Sequence, residues 1–121
     1  MSRIFIKPLS VNEAWQGKRF KTEKYKSYEK EMLLRLPSLK LPQPPYEVFY
    51  RFGMSNTLSD WDNPIKPFQD ILQKKYDFDD KLIFKATIEK VKVSKGEEFI
   101  EYEIKNYLFT KTESDLIADL F

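Results

Sequence analysis

The chain of 121 residues contains no cysteine and no histidine. The absence of cysteine excludes disulfides, thiolate nucleophiles and zinc–sulfur sites together. The absence of histidine removes the side chain that most often serves as a general base near neutral pH. Any catalysis by this chain must therefore depend on carboxylates, lysine, hydroxyl groups or metal-bound water.

Long apolar runs are missing as well. No segment approaches the roughly 20 apolar residues that a membrane-spanning helix needs. Residues 1–7 are too short and too interrupted by polar groups for a signal peptide. We therefore expect a cytoplasmic protein with no membrane partner. The length predicts a single domain over 1–121, in which the tail from about 110 is either a short amphipathic helix or a frayed end.

The charges are unevenly distributed although the net charge is only +2. Between positions 18 and 40 the basic residues outnumber three glutamates, at 23, 29 and 31; they are Lys18, Arg19, Lys21, Lys24, Lys26, Lys30, Arg35 and Lys40. Residues 60–80 have the opposite bias. This asymmetry indicates a polyanion bound at one place and a metal held at another, although a solvated charged surface also explains the basic run.

Hydrophobic periodicity predicts an α+β fold. Strands are expected over 3–9, 46–53, 82–93 and 98–107, and helices over 23–36 and 64–75. Thr22 is the expected N-cap of the first helix, and Asn63 that of the second, with Pro64 at its first position. The last two strands are expected to pair as a hairpin through Lys95-Gly96-Glu97. This order gives a small mixed β-sheet of about four strands with helices packed on it.

The most informative window runs from residue 60 to residue 80. It reads Asp60-Trp61-Asp62-Asn63, has Lys66 shortly after, and ends with Asp79-Asp80. Side chains two apart on an extended segment point the same way, so Asp60 and Asp62 should share a face. Three carboxylates without nitrogen or sulfur ligands suit Mg²⁺ or Mn²⁺. Each piece also has a plain structural interpretation, as a turn, a helix cap or an exposed Lys66–Asp70 ion pair.

Taken together, these residues resemble the RusA-type Holliday junction resolvases. The likeness lies in Asp60-x-Asp62-Asn63-x-x-Lys66, the helix with Asp70 and Leu72, and Asp79-Asp80 before a strand. The segment Val11-Asn12-Glu13-Ala14-Trp15 is similar to the N-terminal stretch of that family. The resemblance covers roughly residues 3–105. The segment before Asp79 departs from the family pattern, in which a glycine is common, so the third carboxylate is Asp79 or Asp80; family alignment favours Asp80.

The resemblance implies a Mg²⁺-dependent, homodimeric endodeoxyribonuclease that resolves four-way DNA junctions by paired symmetric nicks. Such proteins act in DNA recombination and repair, and the family is common in phages and prophages. By motif position, Asp60, Asp62 and Asp80 would hold the metal and Lys66 would be the catalytic lysine. Phosphate contacts would come from the basic segment, namely Lys18, Arg19, Lys21, Lys24 and Lys26. Phe20 is the best candidate for stacking on an unpaired base.

Two other classes of function remain open at this stage. One is a non-catalytic nucleic-acid-binding module of the same fold, which would bind junctions without metal-dependent nicking. The other is an interaction protein that uses the expected hairpin over 82–107 as its contact surface. The binding module would differ from a nuclease because it does not cut DNA. The interaction protein would bind its partner equally well at any concentration of salt or Mg²⁺.

Overall fold

The computed structural model describes residues 2–17, 20–56, 58 and 60–107. The main elements are β1 (Ser2–Ile4), α1 (Val11–Ala14), β2 (Trp15–Gln16), β3 (Phe20–Lys21), α2 (Glu23–Arg35), β4 (Tyr46–Met54), α3 (Ile65–Tyr76), β5 (Ile83–Lys92) and β6 (Phe99–Asn106). A short 3₁₀ turn, Asp80–Leu82, leads into β5. The predicted α+β class with a four-stranded mixed sheet is confirmed. The expected domain boundary at 121 and the tail from about 110 lie outside the described residues.

The four-stranded sheet has the order β1-β6-β4-β5. β4 runs parallel to β5 and antiparallel to β6, and β1 pairs antiparallel with β6. The hairpin predicted over 82–107 is therefore wrong, because β4 lies between its two strands. The turn at 95–97 does exist, and its chain crosses the end of β4, where the Val93 N–H donates to the Met54 carbonyl at 3.1 Å. The two strands therefore do not form one contact surface as a hairpin, although β5 lies at an edge of the sheet.

β4 occupies the centre of the sheet because its alternate side chains form the core. Val48, Tyr50 and Phe52 are buried and face the two long helices, where Phe68 of α3 packs edge-on against both rings. Consecutive side chains of a strand point to opposite faces. The odd-numbered positions of β4 consequently lie on the face of the sheet away from the helices.

The helix α2 follows its sequence pattern closely. Thr22 caps it by accepting a hydrogen bond from the Tyr25 N–H at 3.2 Å, as predicted. The apolar stripe at spacings of three and four is buried; its members are Tyr25, Tyr28, Met32 and Leu36. The helix ends at Arg35, just before Pro37, since a residue that precedes proline is disfavoured in the α region.

Three local predictions need correction. The first strand stops at Ile4 instead of 9, because the chain turns away before the buried Pro8. The segment 10–22, for which the periodicity predicts neither helix nor strand, contains α1 and the small β2–β3 pair. The helix α3 begins at Ile65, and the cap position is Pro64 without any side-chain hydrogen bond, so Asn63 is not the N-cap.

In the described part of the chain, no helix has the length and apolar character needed to cross a membrane.

Candidate functional site

The segment with Asp60 and Asp62 is a turn in front of α3. The Asn63 N–H donates to the Asp60 carbonyl at 3.2 Å, and the Ile65 N–H donates to the Asp62 carbonyl at 3.1 Å. The extended backbone expected from the sequence is therefore absent here, and period-two alternation does not apply. Both aspartates are exposed to solvent, and between them Trp61 keeps 58% of its surface exposed.

This turn is fixed to the N-terminal segment. The Val11 N–H donates a hydrogen bond of 2.8 Å to the Asn63 carbonyl. Around this contact lies an open cleft of about 320 Å³, lined by Ser10, Asn12, Glu13, Asn56, Leu58, Asp60 and Asn63. The structure thus brings together two stretches that carry the family resemblance, although they are far apart in the sequence.

The lining of this cleft is rich in oxygen. Besides Asp60 it has the carboxylate of Glu13 and three asparagine side chains. Glu13 also pairs with Lys24 of α2 at 3.0 Å. Sequence reasoning missed Glu13 and Asn56 as neighbours of Asp60. The only signal for Glu13 was its place in the N-terminal stretch Val11–Trp15, and for Asn56 there was none.

Asp80 lies at the opposite end of the sheet. It begins the 3₁₀ turn that leads into β5, whose first residue, Ile83, is in register with Tyr46 at the start of β4. Asp60 and Asp62 follow the end of β4, a strand of nine residues and so about 30 Å long. The helix α3 runs back between these ends over about 18 Å, and the Tyr50 hydroxyl donates to Gln69 Oε1 at 3.3 Å near the middle of both elements.

The three predicted metal ligands are consequently not assembled in one chain. Within the described ranges, no three acidic side chains converge closely enough to hold a metal ion. The donor set suits Mg²⁺ in its chemistry, since it consists of carboxylate oxygens. Its geometry in a single chain does not provide a three-carboxylate site.

Asp79 and Asp80 also differ from each other in their local roles. Asp79 caps the 3₁₀ turn by accepting the Lys81 N–H at 3.0 Å. This backbone hydrogen bond lowers the pKa of the Asp79 carboxyl, and the nearby Lys81 charge adds to the effect. Asp79 is thus already engaged in the turn, which leaves the exposed Asp80 as the better candidate for an external ligand.

Lys66 lies in the first turn of α3, as predicted. Its ammonium group contacts both carboxylate oxygens of Asp70, at 2.9 and 3.1 Å. This is the i,i+4 ion pair that the plain interpretation of the sequence predicted. The Lys66 side chain is 64% exposed, so a phosphate group can reach its ammonium group and compete with Asp70 for it.

The basic segment is only partly described. Lys18 and Arg19 lie outside the described residues. Lys21 pairs with Glu29 at 3.0 Å, Lys24 pairs with Glu13, and Lys26 pairs with Glu23 at 3.3 Å. These lysines are therefore balanced by intramolecular partners, and DNA would have to compete with glutamates for them.

The aromatic residues near the basic segment divide into two groups. Tyr25 and Tyr28 belong to the core, and Trp15 packs on Tyr25 with ring centroids 5.5 Å apart. Phe20 is 72% exposed. Phe20 and Trp61 are thus the rings of this region that remain available to an external partner.

Comparison with known proteins gives no independent assignment. No protein-family model matches the chain, and no curated protein sequence matches it.

Proposed function

We propose that the chain is a structure-selective endodeoxyribonuclease of the RusA type, which resolves four-way DNA junctions with Mg²⁺ or Mn²⁺. The observation that carries this proposal is the meeting of Val11–Trp15 with Asp60–Asn63 around one oxygen-lined cleft. Packing brings the two stretches together, since Ala14 is buried in the core and Val11 bonds to Asn63. Their polar side chains are nevertheless left exposed in one cleft, as a site for a polar substrate requires.

The roles follow from position. Asp60 and Asp62 would supply carboxylate oxygens to the metal at the start of α3. Lys66, one turn further along the helix, would leave Asp70 and bind the scissile phosphate. The bound metal would supply charge stabilisation and a water of lowered pKa. The basic segment from Lys18 to Lys26 would hold the DNA backbone.

The proposal requires two subunits. Asp80 cannot reach Asp60 and Asp62 of its own chain across the length of α3. A two-fold axis that sets the strands of the two copies antiparallel would bring Asp80 of the partner subunit to the end of the sheet that holds Asp60 and Asp62. A homodimer also provides the two active sites that paired nicks need. We place this activity in the cytoplasm of a bacterial cell, with the gene of either cellular or phage origin.

The second candidate is a non-catalytic junction-binding module of the same fold. It is favoured by the Lys66–Asp70 ion pair and by the separation of Asp80 from the other two aspartates. Such a module would use the same basic segment and exposed rings. It would bind branched DNA without cutting it.

The test compares cleavage of a synthetic four-way junction with cleavage of a linear duplex of the same sequence. Wild type and Asp62→Asn are assayed with Mg²⁺, with Mn²⁺ and with chelator. Paired nicks in the junction, made only by wild type and only with metal, are expected. Asp77→Asn is the matched control, because this exposed residue has φ 53°, a conformation that asparagine adopts readily.

Junction binding without nicking under every metal would refute the nuclease and leave the binding module. An absence of both binding and nicking would refute both candidates. The salt dependence of binding gives a second measure: each phosphate contact that Lys24→Ala removes should lower the slope of log K against log salt by about 0.9.

A further inference from the structure

The strand β5 is the last strand of the sheet formed by the described residues. Among the described residues it pairs only with β4, and it is ten residues long. Most of its side chains are exposed. An edge of this length presents a row of backbone N–H and C=O groups to which another strand can pair.

A row of charges crosses the sheet on the face away from the helices. Arg3, Glu101, Arg51 and Glu89 are neighbours in register on β1, β6, β4 and β5. Arg51 is 3.8 Å from Glu101 and 3.1 Å from Glu89, and Arg3 also pairs with Glu101. The signs alternate along the row. At β5 it stops at Glu89, whose side chain is 56% exposed.

A second row of opposite order lies four residues away along the strands. Glu47 of β4 is in register with Lys105 of β6 on one side and Lys85 of β5 on the other. Glu47 is buried, and Lys85 Nζ is 3.6 Å from its carboxylate. This row stops at β5 with Lys85, whose side chain is 57% exposed. One row thus presents a negative charge at the edge and the other a positive charge.

Thr87 stands midway between these two charges on the same strand. Its side chain is exposed, and its register neighbour on β4 is Phe49. A strand that carries +, neutral and − at alternate positions is complementary to itself when it is turned end for end. Opposite charges directly across an antiparallel pair are favourable, and like charges are unfavourable.

We propose that a second copy of this chain pairs antiparallel with β5, with the two-fold axis at Thr87. Glu89 then faces Lys85 of the partner subunit, and the same contact repeats on the other side of the axis. The row Arg3, Glu101, Arg51, Glu89 continues into the second row of the partner subunit, in which Lys85, Glu47 and Lys105 follow. The signs alternate without interruption across both copies.

Neighbouring registers lack this complementarity. An axis at Lys85 or at Glu89 sets like charges against each other. An axis at Ala86 or Ile88 sets one of the two charged residues opposite Thr87 and leaves the other without a charged partner. A two-fold axis perpendicular to the sheet keeps each side chain on its own face. The pairing of the two β5 strands can therefore shift only by an even number of residues. The charge pattern therefore specifies one register for the pair.

This surface gives a location to the homodimer of the proposed function and rests on that function only for its biological role. The structural argument needs neither DNA nor metal. A protein that dimerises here but does not cut DNA would leave the interface intact and refute the nuclease. A nuclease that dimerises through another surface would support the proposed function and refute the β5 interface.

Single cysteines test the register directly, because the chain contains no cysteine of its own. In the proposed pair, the two Cβ atoms at position 87 are about 5 Å apart, close to the separation that a disulfide spans. The two copies of position 85, or of position 89, are about 13 Å apart along the strands. Full-length Thr87→Cys, Lys85→Cys and Glu89→Cys are oxidised mildly and analysed on non-reducing gels.

We expect disulfide-linked dimers from Thr87→Cys alone, and from an equimolar mixture of Lys85→Cys with Glu89→Cys, but not from either of these two separately. Equal cross-linking by all three single variants would overturn the register. No cross-linking by Thr87→Cys would overturn the interface and leave β5 to another occupant, such as the chain after Tyr107.

Sedimentation of uncrosslinked protein provides the second measurement. Thr87→Lys places two ammonium groups at the axis and should raise the dimer dissociation constant several-fold, whereas Ser38→Lys, an exposed substitution in the connector after α2, should leave it unchanged. A wild type that stays monomeric throughout the concentration range would overturn the proposal.

Discussion

The backbone N–H of Val11 donates a hydrogen bond of 2.8 Å to the carbonyl of Asn63. This bond joins the start of α1 to the turn before α3, and it holds Asp60 beside Asn12 and Glu13. The cleft is therefore built from two segments that the chain brings together only after folding.

Complementation tests whether Asp80 acts in the partner subunit. Asp62→Asn and Asp80→Asn should each abolish junction cleavage. If each active site is shared between subunits, one of the two sites in a mixed dimer combines a native Asp62 with a native Asp80. Exchange of equal amounts makes half of the dimers mixed, so about a quarter of all sites regain activity. A nicking assay on the refolded mixture measures this recovery. Complete inactivity of the mixture, with mixed dimers demonstrated, would place all three aspartates in one chain.

Lys66 should matter for cleavage and little for folding. Lys66→Ala removes an exposed i,i+4 pair with Asp70, which costs about 0.5 kcal/mol or less. Loss of a charge that stabilises the transition state should lower the cleavage rate about 10²–10³-fold. Single-turnover kinetics with saturating enzyme separates this effect from binding.

Lys74→Ala is the control for Lys66, since Lys74 is on the same helix and pairs with Glu29 instead. Its cleavage rate should stay near that of wild type. Equal losses in both variants would show that the effect comes from general charge and not from the position of Lys66.

The hydroxyl of Tyr28 is buried and has no hydrogen-bond partner among the described residues. Burial also raises its pKa, so the group stays protonated and unpaired. Removing an unsatisfied polar group relieves its desolvation cost. Tyr28→Phe should therefore raise the free energy of unfolding by about 1 kcal/mol, as measured by urea denaturation.

Tyr50→Phe gives the matched comparison, because the Tyr50 hydroxyl donates to Gln69 at 3.3 Å. Its loss should lower the free energy of unfolding by about 1 kcal/mol. If both substitutions destabilise equally, the Tyr28 hydroxyl has a partner in solution.

Glu29 should contribute to stability at neutral pH. Burial alone would raise the pKa of its carboxyl, but hydrogen bonds from Lys21 and Lys74 outweigh that effect and lower the pKa from its ordinary value of 4.5. A group whose pKa is depressed by folding stabilises the protein above its unfolded pKa. That stabilisation is lost as the pH falls through the folded pKa.

Glu29→Gln should accordingly lower the free energy of unfolding by about 1 kcal/mol at pH 7 and by progressively less below pH about 4.5. Urea titrations of both proteins across this range measure the difference. A difference that stays constant with pH would mean that Glu29 contributes through packing and not through its charge.

The sequence by itself determined the elements whose side chains repeat with a clear period. The buried stripe Tyr25, Tyr28, Met32 and Leu36 specified α2, and Thr22 specified its start. The alternation in 46–53 similarly specified β4. Local hydrogen bonding and a one-sided apolar surface decide such features, and both are visible in consecutive residues. The α+β class followed from their order.

Only the tertiary structure decided which elements are neighbours. Two strands joined by a short glycine turn predict a hairpin, yet β4 lies between β5 and β6. β4 is buried along most of its length, and its backbone N–H and C=O groups therefore need hydrogen-bonding strands on both edges. The same parallel β4–α3–β5 connection sends Asp80 to the far end of the sheet from Asp60. Spacing in the sequence records how far apart residues lie along the chain, whereas the direction of each strand decides whether their carboxylates can meet.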